Sequence, residues 1–216
     1  MKHFAQLFLT ALLFITAPAL LADTPQSPRD VIESAVTRMT QAINEHREAL
    51  KTNPGLASEL VSDELEKLVA FKRITRLVMG KWFAQASNEQ RNRFLDAFKQ
   101  SLIDTYSSGI TLYEGQNIEV LPLRDTDVRG DRANVRMQIA TNSGKDVPIS
   151  YTMIKQDNTW LVENVIVNGL NLGKTFRTQF EQSADNYGGD LDQVIEHWIE
   201  QIKTNDTLED TTNVTQ

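Results

Sequence analysis

The sequence contains no cysteine. It therefore builds no disulfide, offers no thiolate nucleophile and cannot form the thiolate zinc sites common in small domains. Histidine is almost as scarce, with three in 216 residues. One is His3, at the very start, which leaves His46 and His197 as candidate general bases. Neither sits beside a nucleophile elbow, because no Gly-x-Ser-x-Gly occurs. Gly-x-Gly-x-x-Gly and Walker stretches are also missing, so phosphate cradles of those kinds are excluded. Basic residues are in the minority, 22 against 29 acids, and the net charge of −7 argues against nonspecific binding to nucleic acid or to an anionic membrane surface. The acids offer one metal candidate, Asp185, Asp190, Asp192 and Glu196, whose spacing fits no complete calcium loop and which reads more simply as helix capping.

Long apolar runs are absent with one exception. Lys2 precedes an apolar run, Phe4–Ala17, and the small-residue exit Pro18–Ala22 follows. The run falls short of the roughly 20 residues a membrane span needs, and its layout is that of a secretory leader cleaved after Ala22. The expected organisation is a leader over 1–22, one domain over 23–203 and an unfolded polar tail over 204–216. The domain is expected to be soluble and outside the cytoplasm.

What is present is a sheet with its cover. Ala133, Val135, Met137 and Ile139 alternate with polar neighbours, as do Val147, Ile149, Tyr151 and Met153. Thr159 to Val167 continues with Trp160, Val162, Val165 and Val167, and Ile118 to Leu123 supplies a further strand. Turns rich in Asn, Asp and Gly make these strands an antiparallel meander. Helices precede and follow. Ser27-Pro28 opens the first, and Ser87 with Gln90 forms a capping box for a long one that ends at Ser107-Ser108-Gly109. Gly80 stops or bends the helix begun at Phe71. The fold class is α+β, an antiparallel four-stranded curved sheet covered by helices. Eight aromatics, among them Phe71, Phe98, Tyr106 and Phe176, lie on segments able to face the sheet. A filled core and a lined cavity both satisfy this pattern.

Several stretches resemble the MlaC-type periplasmic phospholipid-binding proteins, the toluene-tolerance family. They are Leu77-Val78-Met79-Gly80-Lys81-Trp82, Arg93-Phe94 with Ala97-Phe98, Leu102 to Tyr106, Trp160-Leu161-Val162, Val167-Asn168-Gly169 and Phe176 to Phe180. The chain departs from the family pattern at Ala70, and in carrying Asn164, Asn168 and Asn171 near the last strand, where acids and a Ser are usual. The resemblance implies a periplasmic carrier of phospholipid, without cofactor or catalysis and with the lipid as cargo. The implied partners are an inner-membrane ABC transporter complex and an outer-membrane lipoprotein-porin complex, with the carrier itself a monomer. On this reading Val135, Met137, Ile139, Tyr151, Met153 and Val165 line an apolar lipid pocket. Phe71, Ile74, Leu77, Val78, Phe98, Leu102 and Tyr106 close it, and Arg177 is the cation on the headgroup side. Each buried CH₂ contributes about 0.8 kcal/mol, so two acyl chains supply ample driving force. A small periplasmic enzyme on the same cone-shaped fold, acting on a hydrophobic substrate, is the alternative; it requires converging titratable groups, and the sequence offers none.

Overall fold

A computed structural model describes residues 26–200, apart from 112, 141–143 and 145. The expected leader and most of the expected tail lie outside the described residues.

The helices begin where their caps predict. Helix α1, Pro28–Glu45, has a reciprocal box in which the Ser27 hydroxyl accepts from the Asp30 amide and the Asp30 carboxylate accepts from the Ser27 amide. Helices α2, Arg47–Thr52, and α3, Pro54–Leu68, meet at Asn53, with Pro54 in the first turn of α3. Helix α4, Phe71–Met79, ends at Gly80, whose φ of 53° is a conformation that glycine adopts without strain. A 3-10 turn, Gly80–Ala84, follows.

Helix α5, Asn88–Thr111, begins with the expected Ser87–Gln90 exchange. It runs past Ser107-Ser108-Gly109, which corrects the predicted stop. The Ser107 and Ser108 hydroxyls donate to the Ile103 and Asp104 carbonyls within the helix, so neither draws the backbone out of it.

The sheet contains β1, Ile118–Val120; β2, Val128–Arg129; β3, Arg132–Ala140; β4, Asp146–Gln156; β5, Thr159–Val167; and β6, Leu170–Asn171. The order is β1-β3-β4-β5-β6, with β2 also paired to β3, and every pairing is antiparallel. Two strands of two residues each bring the number from the expected four to six. The first strand is shorter than predicted. Its ladder stops at Val120, two residues before Pro122, which has no amide to donate. Helix α6, Leu172–Asn186, follows β6 directly, and the last described helix, α7, covers 191–200.

Three cores result. Ile32 of α1 packs with Ala133, Val135, Met137, Met153 and Val162 on one face of the sheet. Phe94, Phe98, Phe180 and Trp198 join α5, α6 and α7, with Ile74 and Val78 of α4 against them. A smaller cluster of Ile43, Leu50 and Ala57 holds α1, α2 and α3 together. The sheet core and the helical core have no buried residue in common.

Candidate functional site

The six sheet positions singled out in the sequence fall on one face. Register sets Val135 opposite Tyr151 and Tyr151 opposite Val165, while Met153 lies opposite Ala133. Alternation along β3 then carries Met137 and Ile139 to the same side. Val135, Met137 and Met153 are fully buried there, and Ile139, Tyr151 and Val165 are partly buried against them. The Tyr151 hydroxyl lies 3.9 Å from the Met137 sulfur.

Opposite this face stands Tyr106 of α5. It keeps 39% of its surface accessible, yet burial raises its hydroxyl above the ordinary phenol range. Accessible surface deep within the fold belongs to a concave wall, not to a convex exterior. Burial also pushes the Tyr151 hydroxyl far upward, and the nearby Tyr106 adds to the rise. Two residues from opposite layers thus meet across an apolar interior in which both phenols stay neutral.

The remaining predicted cover divides. Ile74, Val78 and Phe98 lie in the helical core, and Leu102 packs against it. Phe98 sets its ring edge-on to Phe176, with centroids 5.2 Å apart. At 1% exposure Phe98 and Val78 have no surface left to present to a ligand in this arrangement. The expectation that these four close directly over the sheet face is corrected in that respect: aromatic rings on α5, α6 and α7 pack with one another and hold them. The residues over the sheet face include Ile32 of α1, with Val31, Val36 and Leu68 beside it. Their helical spacing was visible in the sequence, but their target was not. Phe71 opens α4, and the Lys99 ammonium lies 6.0 Å from its ring centre.

Where the helical layer meets the sheet, β5 carries a bulge. Met153 pairs with Val162 and Thr152 with Asn164, which leaves Glu163 as the extra residue. Its carboxylate is buried and accepts from Arg73 of α4 and Arg132 of β3. The Ala70 amide donates to the Val162 carbonyl at 2.9 Å, which fastens the α3–α4 link to the same strand.

A cleft of about 340 Å³ opens beside this bulge, between α4, the polar side of β4 and β5, and the start of α6. Arg177 lines it, together with Lys174, Leu77, Thr152, Asn164 and Asn171. Thr152 adjoins Tyr151 and Met153 in β4, so the cleft lies on the sheet face opposite the apolar interior. Lys174 was not singled out in the sequence, since an isolated lysine carries no signal of its own. No group of three or more metal-ligating side chains that could hold an ion occurs among the described residues.

Comparison with known proteins places this geometry in context. The family model described as MlaC protein matches residues 33–200. The toluene tolerance protein ttg2D of Pseudomonas putida is 34% identical over 192 residues, 88% of each chain. The intermembrane phospholipid transport system binding protein MlaC of Haemophilus influenzae is 22% identical over 176 residues, 79% of this chain and 80% of that one. A phospholipid-binding protein from Ralstonia solanacearum, solved in complex with a phospholipid, superposes with a TM-score of 0.76 at 25% identity, covering 83% of this chain and 98% of that one.

Proposed function

The chain belongs to the MlaC family, and from that membership we propose that it is a phospholipid carrier of the periplasm. The observation that carries the reading is the apolar interior between Tyr106 and the sheet, in a fold whose Ralstonia counterpart holds a phospholipid. The acyl chains lie against Val135, Met137, Ile139, Tyr151, Met153 and Val165, with Tyr106 on the facing wall. Met137 and Met153 suit chains of irregular outline, because a thioether side chain adapts its shape. Leu102 and Phe71 flank the helical side, and Ile74, Val78 and Phe98 reach lipid only when the helical layer shifts.

Lipid passes between an outer-membrane lipoprotein-porin complex and an inner-membrane ABC transporter, which supplies the ATP-driven step; this exchange maintains the lipid asymmetry of the outer membrane. The carrier is exported by its cleavable leader, works as a monomer and has no catalytic step. Support comes from the relatives' names, from the leader pattern and from the absence of converging titratable groups in the apolar interior.

Native mass spectrometry of the gently purified protein tests the proposal. Co-purifying phospholipid at about one molecule per chain is expected, and a protein that emerges bare and takes up none from vesicles overturns it.

A further inference from the structure

The cleft on the far face of the sheet is an assembly of donors. The backbone amide of Gly173 donates to Asn164 Oδ1 at 3.0 Å, and that of Lys174 to Asn171 Oδ1 at 2.9 Å. Both contacts consume the acceptor end of an amide side chain and orient it. Each Asn then has only its NH₂ group left to offer a ligand. Gly173 is required for the first contact, since a Cβ there would lie 2.5 Å from Asn164 Oδ1.

Two cations complete the set. Lys174 is exposed and makes no ion pair among the described residues. Arg177 gives its Nε to Glu181 at 3.0 Å, which leaves its terminal nitrogens available. Its guanidinium rests on the backbone of Gly80, where a Cβ would lie 3.2 Å away, so that glycine positions the fork. The one carboxylate lining the cleft is Glu163, already held by Arg73 and Arg132. Against these donors stands an apolar wall of Ile74 and Leu77, the latter 45% exposed. A buried donor without an acceptor is costly, and a site of donors beside an apolar wall selects an oxyanion with an apolar continuation.

We propose that this cleft is a second binding site, separate from the acyl-chain interior, for the phosphate-bearing end of an anionic amphiphile such as phosphatidylglycerol. Its position on the opposite face of β4 and β5 keeps it available while the interior is loaded. A zwitterionic headgroup brings an ammonium toward Lys174 and Arg177, and that repulsion makes the site discriminate between headgroups by roughly tenfold. The proposal extends the carrier reading without depending on it, because the cleft is titrated separately from the interior.

The test uses the full chain with its interior loaded, followed by backbone amide NMR during titration with dihexanoyl phosphatidylglycerol, dihexanoyl phosphatidylcholine or sodium phosphate. Dihexanoyl phosphatidylglycerol is expected to shift the Thr152, Gly173 and Lys174 amides, with a Kd roughly tenfold below that of the choline lipid. In a Lys174→Gln/Arg177→Gln variant with unchanged melting temperature, the preference should vanish. Leu77→Ser should weaken the glycerol lipid and leave phosphate binding as it was, which keeps the test decisive should the double variant fail to fold. Shifts confined to Tyr106 and Tyr151, equal Kd values for the two lipids, or phosphate binding as tightly as the glycerol lipid would each overturn the proposal. Loss of co-purifying lipid with these cleft shifts intact would instead count against the carrier reading alone.

Discussion

At the scale of single residues, the same chemical type does different work according to the layer that holds it. Phe98 and Tyr106 lie eight positions apart on α5, yet one is sealed in an aromatic core and the other faces an accessible interior. Replacing Phe98 with Ala should cost about 3–5 kcal/mol in urea unfolding. Tyr106→Glu should cost less than that while lowering co-purified phospholipid severalfold by mass spectrometry, because its charge lies where acyl chains would. Equal loss of lipid at equal stability cost in both variants would show that the accessible wall has been misplaced.

Glu163 gives a second contrast. Glu163→Gln leaves Arg73 and Arg132 without their shared carboxylate, and both arginines remain partly exposed. The expected destabilisation is therefore about 1–3 kcal/mol, below that of a wholly buried pair, and is read from the urea midpoint. The capping residues Ser27, Ser87 and Gly80 were legible in the sequence because their effects are local. Glu163 was not, since a carboxylate within an alternating strand announces neither a bulge nor two distant arginines.

At the scale of elements, alternation of apolar residues gave β3, β4 and β5 their phase, and register confirms it. What alternation could not supply was the identity of the cover. Any helix with an apolar stripe fits any apolar sheet face until the loops between them are folded, so α4 and α5 were assigned to the sheet when much of their apolar surface belongs to the helical core. The cleft was equally hidden, because it is assembled from α4, two strands and α6, none of which carries a motif for it.

The segment joining β1 to β3 depends on one acid. The Asp127 carboxylate accepts from the Arg124 amide at 2.8 Å and from Arg136 at 3.3 Å, and these contacts hold its pKa below the ordinary carboxylate range. A depressed pKa in the folded state means that the stabilisation is complete above the unfolded value, about pH 4, and is lost as pH falls through the folded one. Asp127→Asn should accordingly lose less stability than the parent between about pH 5 and pH 3 in parallel thermal melts. Identical acid limbs would remove Asp127 from the account.

At the scale of the whole molecule, cargo and stability are linked. A lipid that binds only the folded chain stabilises it by about 2.7 kcal/mol when present at 100 times its Kd. For a domain of this size that corresponds to a fall in melting temperature of roughly 5–10 °C on complete delipidation, recovered when vesicles are added back. A melting temperature indifferent to lipid would show that the interior is a closed core. The sheet core and the helical core meet along a narrow seam, fixed by Glu163 with its two arginines and by the Ala70–Val162 hydrogen bond. Because neither core lends a buried residue to the other, the two layers can part like the leaves of a book with each leaf intact. The rate at which cargo leaves is then governed by a few contacts along the spine, and a very stable protein of this kind can still be a fast one.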